Sequence, residues 1–273
     1  MKNRDKILQD LSDASLVNAI ESNLFESHKG FTKWPRAEVH DDPDMLWSIT
    51  DIPFPTFNMV LRARLSDPNS AIEAVMARGR QRNVPLMWWT GSTTQPSDLG
   101  DRLTAFGFIA EEVVGMAVDL LSLPEDTAKP QGFVIEQVHD TNTMEIYSKT
   151  MCFCLELPDF VGEAFLDCWQ SIGLDSQSKF SYVGLLNGQP VATASMFLGA
   201  GVAGIYNITT IPEKRRQGIG FAMTLKPLQQ ARKLGYRVGI LQASKMGEPV
   251  YKKIGFREYC KLKQYVWLNQ PLT

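Results

Sequence analysis

The chain has 273 residues, of which 44% are apolar, and this length accommodates two domains of ordinary size. A formal net charge of -2 and a sequence pI near 6.0 argue against a uniformly basic surface that would gather nucleic acid or anionic lipid. The four cysteines form no CxxC pair and the three histidines lie far from them, so the sequence predicts no metal site.

The N-terminal segment carries charges at residues 2, 4, 5 and 6 and has no apolar signal core. No window of the chain approaches the roughly 18 apolar residues that span a bilayer. We therefore expect a soluble, cytoplasmic protein with no membrane or nucleic-acid partner. A first helix is expected from Lys6, because apolar residues recur at about the helical period at Ile7, Leu8, Leu11, Leu16, Val17 and Ile20.

The rest of the N-terminal half predicts alternating strands and helices. Polar, turn-rich sequence covers residues 27–44, and a rigid Ile-Pro-Phe-Pro break follows a strand at 45–50. A helix is expected over residues 70–82 and a buried strand over 85–90.

A stretch without hydrophobic period separates the halves. Residues 123–132 contain two prolines and a terminal glycine, a composition typical of an exposed connection. The sequence therefore predicts an N-terminal domain at residues 1–125, a linker at 126–132 and a C-terminal domain at 133–273.

The C-terminal half predicts a strand, two helices, three antiparallel strands, a helix, a strand, a helix and two closing strands. Asn187-Gly188 fits the tight turn of a hairpin, and Gly235 is expected to end a helix in which Pro227 causes a bend. The expected elements cover residues 133–138, 141–151, 161–172, 180–186, 190–198, 204–210, 218–234, 238–242, 247–254, 256–260 and 263–268.

Two segments, one in each half of the chain, have a weakly similar sequence pattern. Residues 98–108 and 246–256 each follow a strand, form a short helix ending in Gly-Phe, and lead into another strand. This similarity suggests duplication of one supersecondary unit, while two unrelated helix-glycine-strand turns remain the alternative.

The most informative segment is a strand that leads through a basic loop into a helix, at residues 206–223. Gly218 and Gly220 at the helix start would let backbone amides approach an anion, and the helix dipole adds positive charge there. Lys214, Arg215 and Arg216 precede them and suit phosphate oxygens. The pattern predicts a pyrophosphate site.

The pattern Arg215-x-x-Gly218-x-Gly220 after Ile-Pro-Glu resembles the acyl-CoA signature of the GNAT-type N-acetyltransferase superfamily. A second matching block runs over residues 240–244 and 251–256, and the resemblance covers roughly residues 132–268. It implies an α+β fold of tandem GNAT-like domains, each a mixed, mostly antiparallel sheet flanked by helices. The N-terminal domain would be a degenerate copy, because it lacks the glycine-rich loop.

The resemblance also implies residue roles, with acetyl-CoA as co-substrate and no metal. Tyr251 matches the tyrosine that protonates the departing thiolate, and Ser244 stands where relatives often have asparagine near the pantetheine. The expected cofactor-binding residues are Ile208, Thr209, Thr210, Arg215, Arg216, Gln217, Gly218, Ile219, Gly220 and Ser244.

Each role has an alternative in ordinary structure. Tyr251 could be a core aromatic residue, and Arg215 and Arg216 could form a solvated basic turn. The strand before the loop carries no acid, so the general base is open. The candidates are Glu213, Glu156, Asp159, Glu163, a backbone carbonyl, or Tyr206 acting through water.

The predicted function is transfer of an acyl group, usually acetyl, to a small-molecule or peptide amine by a monomer or homodimer. The alternative is a non-catalytic acyl-CoA sensor or scaffold, and a third class binds nucleic acid or peptide without CoA. Four aromatic residues of the N-terminal half either wall an acceptor pocket or belong to the core: Trp47, Phe54, Trp88 and Trp89.

Overall fold

A computed structural model describes residues 7–125, 129–173 and 178–269 of the chain. The helices are α1 (Asp13–His28), α2 (Pro68–Arg82), α3 (Leu99–Ala105), α4 (Thr141–Leu155), α5 (Asp159–Ile172), α6 (Ile219–Lys233) and α7 (Glu248–Ile254). The strands are β1 (Glu38–Asp41), β2 (Met45–Ile49), β3 (Met59–Ala63), β4 (Leu86–Thr90), β5 (Ile109–Asp119), β6 (Phe133–Gln137), β7 (Lys179–Leu186), β8 (Gln189–Gly199), β9 (Val202–Thr210), β10 (Val238–Ala243) and β11 (Arg257–Trp267).

The chain folds into two compact units, and neither is continuous in sequence. The larger unit contains Met1–Ser27 and Gly115–Tyr259, and the smaller unit contains His28–Val114 and Cys260–Thr273. This grouping differs from the expected sequential division at residues 126–132, because each end of the chain packs with the other half. Of the expected linker, residues 126–128 lie outside the described part of the chain.

The smaller unit contains a sheet in the order β1, β2, β3, β4 and the C-terminal part of β11. Its pairs are antiparallel except for β3 and β4, which run parallel. Helices α2 and α3 supply Ile72, Leu99 and Leu103 to the core that covers this sheet, which also contains Trp88 and Tyr265.

The larger unit contains a sheet in the order β5, β10, β9, β8, β7 and β6. Strands β6 to β9 form an antiparallel meander, whereas β10 runs parallel to β9. Helix α4 packs on β7, β8 and β9, and α6 contacts β8, β9 and α7. No helix in the described part of the chain is both long and apolar enough to cross a bilayer.

The turn signals read from the sequence are confirmed where glycine or asparagine is required. Asn187 and Gly188 have φ values of 52° and 78°, which form the tight connection between β7 and β8. Gly235 follows the end of α6 with a φ of 93°, a conformation that a side chain would strain.

The expected start of the first helix is wrong. Residues 7–12 are not helical and α1 begins at Asp13, while Lys6 lies outside the described residues. The carboxylate of Asp10 accepts hydrogen bonds from Ser12 and Ser15, and the Leu8 amide donates to the Gly201 carbonyl. These local bonds draw the segment away from helix geometry.

Three further expectations about strands and turns need correction. The two strands expected at 256–260 and 263–268 are a single strand, β11, over Arg257–Trp267, because no turn residue interrupts the run. Part of the stretch at 27–44 forms β1, which pairs with β2. Strand β3 was not predicted, since its run is short and almost entirely buried and so lacks alternation.

The two similar segments, residues 98–108 and 246–256, have the same local structure in both units. Each unit has a parallel strand pair joined by a helix, β3-α2-β4 in the smaller and β9-α6-β10 in the larger. A short helix follows each, then a glycine with positive φ, namely Gly107 at 87° and Gly255 at 110°. This correspondence supports duplication over two unrelated turns.

Candidate functional site

Strands β9 and β10 are paired over a short parallel contact, and we call the unpaired gap beyond it the β9/β10 cleft. They pair only at Ala203 with Gly239 and at Gly204 with Ile240. Beyond these pairs, β9 carries a bulge: its register with β8 shifts between Thr193 and Ser195, and Asn207 has a φ of 50°. Backbone groups of residues 208–210 on the β10 side therefore have no strand partner.

Thr209 turns its side chain away from the cleft. Its hydroxyl lies 2.7 Å from that of Thr193, and the residue is buried. Because side chains alternate along a strand, half-buried Ile208 and Thr210 lie on the opposite face. The Thr209 backbone faces β8, because the Ile211 amide two residues along donates to the Val191 carbonyl of β8 and backbone direction alternates along a strand, so contact of Thr209 with a cofactor stays a prediction.

The loop after β9 exposes a row of unused amides at the start of α6. Within the described residues, the amides of residues 216–221 donate to no protein acceptor. The first backbone bond into α6 is from the Ala222 amide to the Gly218 carbonyl, at 3.0 Å. Helix geometry aims such amides outward from the N-terminus, where the dipole is positive. The turn is thus chemically suited to an anion.

Glycine is needed in this turn for two different reasons. Gly218 caps the helix with a φ of 83°, a left-handed conformation that strains residues with a side chain. At Gly220 a side-chain carbon would meet only the Thr210 hydroxyl, at 3.9 Å, so the space in front of it is open. Arg216 also has a positive φ, of 64°, and its side chain is exposed.

Arg215 fastens the loop to its surroundings. Its Nε donates to the Thr210 carbonyl at 3.1 Å, and a terminal nitrogen lies 3.5 Å from the Cys154 carbonyl near the end of α4. Contact of Arg215 with phosphate stays a prediction. It would use the guanidinium N–H groups that do not donate to these two carbonyls. Its demonstrated contacts join the strand end, the loop and α4.

Ser244 and Tyr251 lie beyond the carboxyl end of β10. Because β9 and β10 are parallel, the loop and Ser244 share one edge of the sheet. The exposed Ser244 accepts from the Gly247 amide through its carbonyl and its hydroxyl, at 3.0 and 3.3 Å. Its side chain therefore helps to form the turn into α7.

Tyr251 is a buried phenol on α7. Its ring lies 6.0 Å from that of Phe256, edge to face, and a side-chain carbon at Gly247 would stand 3.0 Å from its hydroxyl. Burial raises the pKa of Tyr251 to about 12, so the hydroxyl stays protonated near neutral pH. The residue is packed as a core aromatic and also retains a proton to give.

A pocket of about 770 Å³ lies between α4, α5 and the turn at Pro212, next to the loop. Its described lining includes all four carboxylates that the sequence offered as bases, and it adds a fifth, which the sequence analysis missed. These residues are Glu145, Glu156, Asp159, Glu163 and Glu213. Their common surroundings could not be read from a sequence in which they are up to 68 positions apart.

Residues 143–256 match the model of the Acetyltransferase (GNAT) family. The C-terminal half of this chain is a GNAT domain. No curated protein sequence matches the chain at a significant level.

Several solved structures similar to most of the chain are GNAT proteins. A GCN5-related N-acetyltransferase from Kribbella flavida is 16% identical, with 90% of this chain and 95% of that chain covered and a TM-score of 0.67. One from Sphaerobacter thermophilus is 13% identical, with 95% and 92% covered and a TM-score of 0.59. A tandem GNAT protein from the clavulanic acid biosynthesis pathway is 12% identical, with 99% and 97% covered and a TM-score of 0.57. The fold is therefore that of tandem GNAT proteins.

The smaller unit differs from the GNAT domain at the start of the corresponding helix. Its helix α2, which corresponds to α6, begins after Asp67, and the Asp67 carboxylate accepts from the Ser70 amide. A negative side chain thus occupies the helix end that the GNAT domain leaves open. The aromatic residues of this unit are core: Trp47, Trp88 and Trp89 are buried, and Phe54 is half-buried.

Tyr206 is unsuited to act as the base of the GNAT domain. Its hydroxyl donates to Asn23 Oδ1 at 2.6 Å, and burial raises the pKa of Tyr206 above its ordinary value. A phenol that stays protonated cannot accept a proton from an amine. The sequence carries no signal for the hydrogen bond between Tyr206 and Asn23, because this bond depends on the packing of α1 beside β9.

Proposed function

We propose that this chain transfers an acetyl group, or a related acyl group, from acetyl-CoA to an amine by direct attack in a ternary complex. The observation that carries the proposal is the set of amides at residues 216–221 without a protein acceptor, at the mouth of the β9/β10 cleft. A diphosphate satisfies such donors better than any neutral group.

The residues present fit coenzyme A along its length. The amides of residues 216–220 would hold the diphosphate, and the Ile208 backbone and the Thr210 amide, on the side away from β8, would pair with the pantetheine arm. Gly220 leaves room for the approach. When bound, the thioester supplies an electrophilic acyl carbon and a thiolate leaving group.

Tyr251 is proposed to deliver the proton that the departing sulfur needs. Its raised pKa favours this role, because a phenol with a pKa of about 12 is fully protonated at the pH of the reaction. A carboxylate of the acidic pocket is proposed to accept the proton of the attacking amine. Glu156, Asp159 and Glu163 fit this task, since each lines the pocket.

Release of free thiol from acetyl-CoA in the presence of a panel of amines tests the proposal. Wild-type protein is expected to release thiol only when an amine is present, and to shift its melting temperature on adding CoA. Gly218→Glu is expected to lose both effects, because it places a bulky anion and a strained residue in the turn.

A matched substitution controls for loss of folding. Gly107→Glu changes a positive-φ glycine of the smaller unit, where an added side-chain carbon meets nothing within 4 Å, and is expected to keep the thermal shift with CoA. Thermal stabilisation by CoA without thiol release from any amine would instead indicate a sensor or scaffold. No stabilisation of the wild-type protein would remove the basis of the proposal.

A further inference from the structure

The acidic pocket has a charge that only a cationic guest compensates. Five carboxylates line it against one ammonium group, that of Lys149. Lys149 is already paired with Glu145 at 2.6 Å, which raises the pKa of Lys149, with a smaller contribution from Asp159. The four carboxylates that remain form no ion pair with a cation of the described chain, and they are Glu156, Asp159, Glu163 and Glu213.

A buried, unsatisfied hydroxyl independently indicates a ligand site. Ser148 lines the pocket, is 3% exposed, and its Oγ has no hydrogen-bond partner within the described residues. A buried hydroxyl without a hydrogen bond is energetically unfavourable, so such groups usually have a partner. An N–H group of a guest would supply that partner.

The pocket is also a built cavity between two closely packed helices. Gly162 of α5 faces α4, where a side-chain carbon would stand 3.1 Å from Cys152 Sγ. Glycine at this position lets α5 approach α4 beside Ser148. Phe153, Leu157 and Leu166 add apolar surface to the lining, which suits methylene groups between charges.

Coenzyme A does not fit this pocket by charge. Its phosphates are anionic, and four uncompensated carboxylates would repel them. The amides at residues 216–221 offer those phosphates a better place. Because Pro212 and Glu213 line the pocket and directly precede the loop, the pocket adjoins the proposed CoA site.

We propose that the acceptor is a linear amine with at least two ammonium groups, a diamine or polyamine, bound in the acidic pocket. This inference rests on the proposed function, and it narrows the acceptor class. One ammonium group would lose its proton to react, while the second stays charged against the carboxylates of Asp159 and Glu163. These two residues are four apart on α5 and so lie on one face of the helix.

The test compares acceptors of one length that differ only in the distal group. We expect kcat/KM for 1,6-diaminohexane to exceed that for hexylamine by about tenfold or more, since one charge contact of about 1.4 kcal/mol gives that factor. Kcat/KM for 6-aminohexanoate is expected to be the lowest. Added salt is expected to reduce the ratio of diamine to monoamine, because it screens the contact.

Variants locate the discrimination in the pocket. Asp159→Asn and Glu163→Gln are each expected to lower the ratio of diamine to monoamine by several-fold, even if one also slows both reactions as the base. Glu136→Gln, on exposed β6 and outside the pocket, is expected to leave the ratio unchanged. Diaminohexane alone is expected to raise the melting temperature of wild-type protein more than that of Glu163→Gln.

The outcomes separate this inference from the proposed function. Equal kcat/KM for diamine and monoamine in wild-type protein overturns the inference and leaves acyl transfer intact. Stabilisation by diaminohexane that Glu163→Gln removes, without any thiol release, supports the cationic site and overturns the proposed transfer. If the diamine neither stabilises the wild-type protein nor accepts an acyl group, the inference is overturned.

Discussion

The Tyr206 hydroxyl donates a hydrogen bond of 2.6 Å to Asn23 Oδ1, across 183 positions of sequence. The Asn23 amide group in turn lies 2.8 Å from the Gly199 carbonyl, and 3.4 Å from the carbonyls of Phe197 and Val202. Asn23 is fully buried. Helix α1 thus completes the hydrogen bonding of the β8/β9 hairpin on which the cleft is built.

Asn23→Ala is predicted to destabilise the larger unit. It removes the acceptor of the Tyr206 hydroxyl and the donor to the Gly199 carbonyl, a loss of about 2–3 kcal/mol. Denaturant unfolding followed by circular dichroism measures the change. Asn18→Ala, on the exposed side of the same helix, should stay within about 0.5 kcal/mol of wild type. Equal stability of the two variants would contradict a structural role for Asn23.

Tyr251→Phe is predicted to slow turnover while leaving cofactor binding intact. Removing the proton donor should lower kcat by about 100-fold, with KM for acetyl-CoA changed less than about twofold. Because the pKa of Tyr251 is raised to about 12, its hydroxyl should cause no alkaline loss of kcat below about pH 11. Steady-state kinetics from pH 6 to pH 10 measures both effects.

Tyr259→Phe, on β11, is the matched control for Tyr251→Phe and should retain wild-type kcat. If Tyr251→Phe also retains it, another group protonates the thiolate.

Glu38 is predicted to make the stability of the smaller unit depend on acid. Hydrogen bonds from Arg78, at 2.6 and 2.8 Å, and from His40 and Arg82 lower the pKa of Glu38 from its ordinary 4.5. A carboxyl group whose pKa is lowered by folding stabilises the fold above pH 4.5. This stabilisation is lost as the pH falls through the pKa of the folded state. With the side chain 30% exposed, Glu38→Gln should lose about 1 kcal/mol at pH 7.

The pH dependence distinguishes this ion pair from simple packing. The difference between Glu38→Gln and wild type should shrink as the pH falls below 4.5, and Glu73→Gln on the exposed face of α2 should show no such trend. Urea unfolding at a series of pH values from 7 downwards measures the difference. A difference that does not fall with pH would rule out the charge as its cause.

Cysteine reactivity is predicted to follow burial. Burial raises the pKa of Cys168 to about 12, so almost none of it is thiolate at pH 8. Cys260 is half-exposed on β11. Brief iodoacetamide treatment of native protein, followed by peptide mass spectrometry, should label Cys260 well before Cys168. Earlier labelling of Cys168 would show that α5 opens on the timescale of the reaction.

Local chemistry made parts of the fold predictable. Asn187-Gly188 and Gly235 require positive φ, and the structure has it at each. The loop was recognisable because its glycines and basic residues are contiguous. The predicted start of α1 was wrong because the prediction relied on apolar periodicity. The hydrogen bonds to Asp10 decide where the helix begins.

The acidic pocket could not be predicted from the sequence for a different reason. Glu145, Glu163 and Glu213 meet only because α4, α5 and the turn at Pro212 pack together. Asn23 and Tyr206 likewise depend on the packing of α1 against β9. Contacts across such separations carry no periodicity or motif in the sequence, so only the folded chain shows them.

The most direct measurement is a crystal structure of the chain with CoA bound. We expect diphosphate oxygens about 2.7–3.2 Å from the amide nitrogens of residues 216–220, with the pantetheine between β9 and β10. A diphosphate bound elsewhere, with those amides facing solvent, would disprove the proposed cofactor site.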